Sequence, residues 1–440
     1  MRLASSPAAR LFVAGLLTAL AAPFLAALPA SAVTPPAPGD FTGYGFDACV
    51  APSQKVMDAW NLHSPFSAIG IYVSGNSRYC SDKDQPNLSK AWVAKNAANG
   101  WRFLPIHVGY QSPCFKNNPK SKVQKKRMSS DPVKARVQGA GDAAETIVAL
   151  VKLGFAEGSY SYLDLEAAAH STSCDNAELA FADGWTDYLH DHGYKSGVYS
   201  SGSAAIKLID SARKAKRKDF TLPDQMWNAW TNQRADTDGG PYLSADGWTN
   251  HQRIHQYDNG VTLTYGGQKL NIDKDFLDVG KGSVATKDSL PCNVKLSFTS
   301  YPRLTSGSAG AAVSAVQCLL TQQGFTTSVN GVFGSSTAKA IDSFRAGLGW
   351  GKTGHTTQPT WTALLAAGSK PHVLKQGSVG EPVWRLQRAL VAAGASLSIN
   401  GVYDSKTGTA VKAYRTANGL SGEAYAESSF WSLLQSGKPA

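Results

Sequence analysis

Within the last third of the chain, one stretch repeats another at a shift of 70 positions with no gap, and this repeat dictates how the chain must be divided. Leu304, Gly307, Gly310, Val313 and Gln317 recur as Leu374, Gly377, Gly380, Val383 and Gln387. Leu320, Gly324, Asn330-Gly331-Val332, Thr337, Arg345 and Trp361 recur as Leu390, Gly394, Asn400-Gly401-Val402, Thr407, Arg415 and Trp431. Self-similarity at a fixed period means one structural unit used twice. Each copy reads as a small all-α bundle of three helices. In the first, Val313, Val316, Leu319 and Leu320 have helical spacing, and Gly324 follows as a C-cap. Ala340, Ile341 and Phe344 mark a second helix, and Trp361, Leu364 and Leu365 a third. No acid–base pair recurs in both copies, which points to binding modules rather than catalysts.

The other end of the chain sets the compartment. Arg2 and Arg10, the apolar run Leu11–Leu28 and the small-residue site Ala30-Ser31-Ala32 form the three parts of a secretory signal over 1–32. No later run reaches the ~18 apolar residues that a membrane span needs. The Pro-rich 33–42 reads as a linker, as does 281–300, leaving 43–280 as the large domain, 301–368 as the first module and 369–440 as the second. All six cysteines (Cys49, Cys80, Cys114, Cys174, Cys292, Cys318) follow the signal, so they are expected in disulfides, with 15 pairings open. Cys49–Cys80 and Cys114–Cys174 could staple neighbouring loops, and Cys292–Cys318 could tie the entry strand to the first helix of the first module.

The large domain alternates β-rich runs with helical ones, the pattern of βα units. Strands are expected at 44–50, 68–74, 102–110, 160–167, 195–201, 225–231, 253–258 and 269–277, with helices at 53–62, 88–99, 131–153, 176–192 and 203–215. The late connections are rich in Gly, Asp and Asn. The expected fold class is α/β, a (β/α)8 TIM-like barrel with reduced late helices, whose site lies at the C-terminal strand ends. Acids fall there: Asp47 in the first strand, Asp164 and Glu166 in the fourth, Asp273 and Asp275 in the eighth. Clustered buried acids raise one another's proton affinity, and glycoside hydrolysis needs such a split between a proton donor and a carboxylate. The same acids could instead be neutralised by Arg102 or Lys195. His251 and His255 straddle a strand rather than sharing a helix face, so no metal or other cofactor is expected.

Two resemblances follow from these residues. The run G-S-x-G-x-x-V…Q-x-x-L…NGV[FY] resembles the type 1 peptidoglycan-binding domain over about 303–437. GFDAC, GIYVSG, GWRFLPIHVGYQ, YLDLEA, GYKSGVYSS, IHQYD and NIDKDF resemble the actinobacterial glycoside-hydrolase-like barrel known as domain of unknown function 1906. That barrel is distantly similar to the family 25 lysozymes. The likeness to those lysozymes implies Glu166 as general acid, Asp164 and Asp273 as its partners and Asp47 in the floor. Asp275 stands where those lysozymes carry Asn. Tyr72, Trp227, Trp230, Gln256 and Tyr257, with Asp275, are candidate sugar-binding groups.

With Lys+Arg 43 against Asp+Glu 32 the formal charge is +11. The basic runs 116–127 and 213–218 suit anionic wall polymer better than nucleic acid, since no nucleic-acid motif accompanies them. The expectation is a secreted, monomeric, muramidase-like hydrolase of peptidoglycan. A non-catalytic wall binder and a wall amidase or peptidase are the alternatives.

Overall fold

The computed structural model describes residues 35–123 and 125–440; the secretory signal expected at 1–32 lies outside the described residues. Strands β1 (Phe41–Asp47), β2 (Ala68–Ser74), β3 (Arg102–His107), β4 (Tyr160–Leu165), β5 (Lys195–Ser201), β6 (Gln225–Ala229), β7 (Gln252–Tyr265) and β8 (Gln268–Val279) close into one barrel. Helices α1 (Gln54–His63), α2 (Lys90–Ala98), α3 (Pro132–Leu153), α4 (Thr172–Asp191) and α5 (Lys207–Lys214) follow the first five strands.

The helices begin and end where local chemistry dictates. Asp131 caps α3 by accepting from Val133 N, Pro132 fills the first turn, and Gly154 ends it at φ 84°. Ser171 caps α4 by accepting from Cys174 N. The two helices touch backbone to backbone, since a Cβ on Gly139 would lie 2.0 Å from Phe181 O. Phe46, Trp60, Phe103, Leu163, Phe181 and Trp185 fill the layer between barrel and helices. Leu104, Ile106, Tyr162, Trp227 and Leu277 pack together in a separate, smaller apolar cluster.

The eighth strand departs from the all-parallel pattern. β8 is antiparallel to both β7 and β1. Gly266 and Gly267, at φ 54° and 72°, form the two-residue turn between β7 and β8. A turn this short can join only antiparallel strands. Asp273 and Asp275 therefore sit partway along a reversed strand, not at its C-terminal end. They still reach the mouth, because Asp273 is in register with Asp47 and Asp275 with Gly45.

The helical region holds two sets of three helices. Helices α6 (Ala311–Gln322), α7 (Ser335–Gly347) and α8 (Gln358–Ala366) are matched by α9 (Glu381–Ala392), α10 (Ser405–Ala417) and α11 (Ser428–Gln435). The buried amides of Gln317 and Gln387 make the same bonds. Gln317 donates to Asn330, Val332 and Thr337, and Gln387 to Asn400, Val402 and Thr407.

Parts of both segments read as linkers are held against their neighbours. Tyr160 N donates to Ala37 O at 2.8 Å, and Ala37 is 5% exposed. Asp288 pairs with Arg388 of α9, Ser297 accepts from the same guanidinium at 3.0 Å, and Leu296 is buried. A Pro-rich or Gly-rich composition therefore did not mean a free tether here. The disulfides are Cys49–Cys80, Cys114–Cys174 and Cys292–Cys318. Among the described residues, no helix is long and apolar enough to cross a membrane.

Candidate functional site

Asp47 ends β1 and Asp164 stands one residue from the end of β4, so both project at the mouth. Asp47 accepts from Gln256 Nε2 at 2.9 Å and from the Tyr72 hydroxyl at 3.3 Å. The Tyr199 hydroxyl holds Gln256 from the other side, donating to its Oε1 at 3.1 Å. One hydrogen-bonded chain thus runs from β5 through β7 and β1 to β2. Asp275, fully buried, accepts from Trp227 Nε1 at 3.0 Å. Asp273 accepts from Gly260 N, at the bend of the β7–β8 ribbon, at 2.6 Å.

Crowding of these acids in a dry place raises their proton affinities. Burial, then the charge of Asp273, pushes Asp47 up to about 7, against the opposing bonds from Gln256 and Tyr72. Burial, then the neighbouring Glu166, raises Asp164 well above the usual carboxylate range, with Lys125 opposing. Asp275 is raised well above that range by burial and by Asp47, and Asp273 is raised mainly by burial. Tyr72 and Tyr199 are raised for the same reason and stay protonated.

Glu166 differs from the others. Its side chain is 42% exposed and forms an ion pair with Lys125 from the loop before α3. Its backbone N donates to Gln111 Oε1 at 2.7 Å.

Neither basic residue considered as a neutralising partner reaches the acids. Arg102 donates to Pro38 O and lies over the Phe41 ring, and Lys195 pairs with Asp224. Among the candidate sugar platforms, Trp227 is 0% exposed, wedged edge-on against Tyr162 and Tyr199. It has no free face for a sugar. Tyr257 is also buried. Trp230 is half-buried, stacked on His255. His255 contacts the carbonyls of Asp236 and Trp230, while His251 contacts Asp278, so the two histidines serve separate contacts. Among the described residues no group of three His, Cys, Asp or Glu could hold a metal ion.

Sequence reasoning missed Lys125, Gln111 and Tyr199. Tyr199 could have been found from the alternation of β5, which turns it to the same side as the acids. Lys125 and Gln111 lie in an irregular loop with no periodicity to read.

The Rv2525c-like, glycoside hydrolase-like domain model matches residues 58–277, and a peptidoglycan binding domain model matches 309–364. No curated protein matches significantly. Among solved structures, an uncharacterized B. stearothermophilus protein is similar at 13% identity over 53% of this chain and 95% of its own, TM-score 0.38. The Mycobacterium tuberculosis Tat-secreted protein Rv2525c is similar at 13% identity over 54% and 95%, TM-score 0.36. A family 25 glycosyl hydrolase from Bacillus anthracis is similar at 17% identity over 55% and 91%, TM-score 0.35. With a family match spanning half its length, followed by a peptidoglycan binding domain, the chain belongs to the Rv2525c-like, glycoside hydrolase-like family.

Proposed function

We propose that this protein is a secreted, wall-associated glycoside hydrolase, muramidase-like, that cleaves peptidoglycan glycan strands. Its acid–base chemistry is placed on Asp47, Asp164, Glu166 and Asp273, and both helical modules hold it on the wall. The observation that carries this reading is the carboxylate set. Acids from β1, β4 and β8 meet at one end of the barrel, some of them raised in proton affinity by burial and by one another, beside one that is exposed and cation-paired. That is the division glycoside cleavage requires. The peptidoglycan binding match at 309–364 supports the polymer class, and the second copy, with the same buried glutamine network, supports a second wall contact. The basic runs suit anionic wall polymer as an additional contact.

The test is to incubate the protein and its Glu166→Gln variant with purified peptidoglycan and measure new reducing ends and new free amines. Reducing ends that are lost in the variant are expected. Amines without reducing ends would instead make the protein an amidase or peptidase. Binding with neither product would make it a non-catalytic wall binder.

A further inference from the structure

Among the described residues, Tyr79 is the one Phe, Tyr or Trp ring that stands mostly in solvent, at 57% exposed. It lies in the loop after β2, and its neighbours Arg78 and Cys80 are both buried. Arg78 Nε donates to Gly75 O at 2.9 Å, and its Nη1 to Tyr72 O at 3.2 Å. Cys80 is bonded to Cys49, two residues past the end of β1. Just beyond, Ser81 N and Oγ both donate to Asp84 at 2.9 Å. A loop pinned on both sides therefore holds this ring outward. The brace reaches the acids, because the Tyr72 hydroxyl donates to Asp47.

A second loop supplies charge at the same rim. Lys122 Nζ lies 4.1 Å from the centre of the Tyr79 ring. Lys122 belongs to the run 116–127, which holds six cations and no acid. This run is also fixed. The Asn117 amide grips the Lys125 backbone, donating to its carbonyl at 3.0 Å and accepting from its N–H at 2.8 Å. Gln111 N donates to Lys126 O at 2.8 Å, and Lys126 N donates to Ser77 Oγ at 3.3 Å, joining the two loops. Cys114–Cys174 staples the run to α4, and Lys125 brings it to Glu166. The acids of the Tyr79 loop are engaged locally, Asp82 by Arg78 and Asp84 by Ser81. Cations are left in excess beside an open aromatic ring.

Each half of this pair has its own chemistry. A tyrosine ring offers an apolar face, which suits the C–H face of a sugar, with a polar tip for its hydroxyls. An ammonium takes a carboxylate or phosphate by charge-assisted hydrogen bonds, and it rests on an aromatic face when no anion is present. Trp227 and Tyr257 are buried and cannot do what Tyr79 can.

We propose that Tyr79 and Lys122 form a substrate subsite on the rim between the loops that follow β2 and β3. The ring takes a sugar and the ammonium takes its carboxylate or phosphate substituent, so the preferred substrate is an anionic glycan. This rests on the hydrolase reading and names the glycan that reading requires.

The experiment measures reducing-end release from peptidoglycan in three forms: with its phosphate polymers attached, stripped of them, and stripped with its carboxylates converted to neutral amides. For the wild type, kcat/KM should fall about tenfold at the step that removes the recognised anion, the scale of one charge-assisted contact. That step tells phosphate from carboxylate. Lys122→Gln should lose this preference. Tyr79→Ala should raise KM about tenfold on the preferred form. Both side chains are exposed, so neither substitution should disturb the fold. Equal kcat/KM on all three forms, a preference that survives in Lys122→Gln, or an unmoved KM in Tyr79→Ala would each overturn the subsite and leave the hydrolase reading in place. A wild type that releases no reducing ends from any form would overturn that reading, and the subsite with it.

Discussion

Lys375, in the second helical module, donates from Nζ to the carbonyl of Phe66 in the barrel at 2.5 Å. Two further barrel carbonyls, Asn61 O at 3.0 Å and Ser64 O at 3.3 Å, complete its cage. The ring of Trp101 lies 5.4 Å away. Among the described residues no carboxylate pairs with this lysine, which is 4% exposed. The corresponding residue in the first copy is Thr305, so this contact belongs to the second copy alone. It lies at the end of the barrel opposite the mouth, where Ser283 also donates to Gly377 O. The second module is therefore fixed to the barrel and leaves the acids uncovered.

Burial lowers the Lys375 amine to about 7, which gives this contact a signed pH dependence. Above that value the folded chain holds fewer protons than the unfolded chain, up to the ordinary lysine value. Stability should therefore rise with pH across that window, by at most about 1.4 kcal/mol per pH unit. Below pH 7 both states are protonated and the dependence disappears. Urea unfolding at pH 7 and pH 9 should show the gain in the wild type and a flat response in Lys375→Met. An equal slope in the variant would assign it to other groups.

The staple of the basic loop should be separable from the rest of the fold. Cys114 and Cys174 are 60 residues apart, and closing such a loop restricts the unfolded chain by about 4 kcal/mol in the chain-entropy account. Cys174→Ser should lower the unfolding midpoint and open the run 116–127 to trypsin. Mass analysis of the first fragments would locate the cuts. First cuts elsewhere would show that the Asn117 and Gln111 bonds hold the loop without the disulfide.

The barrel was legible because its β-rich runs and helical stretches carry their own periodicities. Asp47 and Asp164 were legible because strand ends define the mouth, whereas Asp273 and Asp275 reach it only through the register of a reversed strand. The direction of β8 was also written in Gly266-Gly267, a turn too short for a crossover, but the alternation of elements masked it. Lys125 and Lys375 were not legible for a different reason. Local sequence sets them as solvated lysines, and only contacts 41 and 309 residues distant turn one onto Glu166 and bury the other against Phe66. Trp227 was read as a platform because an aromatic on a late strand fits either role; its burial is a property of the closed barrel.

The two helical copies should respond alike to loss of their central amide. Gln317 and Gln387 are each at most 1% exposed. Each donates to three oxygens and accepts from two backbone N–H groups. A leucine in either place strands several buried polar groups, at about 1–3 kcal/mol apiece before relaxation. Gln317→Leu and Gln387→Leu should therefore both lower the denaturant midpoint strongly. A mild effect in one copy would mean that water reaches its turn.

Asp275 offers the opposite case, a buried acid whose charge opposes folding. Its Oδ1 accepts from Trp227 Nε1, while Oδ2 is buried with no hydrogen-bond partner among the described residues. Burial and Asp47 hold its proton affinity well above the ordinary value of 3.8. The folded chain therefore binds this proton more tightly than the unfolded chain, so its contribution is most favourable at low pH. It is lost as pH rises past the unfolded value. Asp275→Asn keeps an oxygen for Trp227 and removes the titration. It should stabilise the barrel at pH 7, by about 1–3 kcal/mol on the scale of replacing a buried charge, with the gain shrinking toward pH 4. Denaturant unfolding at both values checks this. If Asp275→Asn destabilises equally at both, the carboxyl is held by its hydrogen bonds and not opposed by its charge.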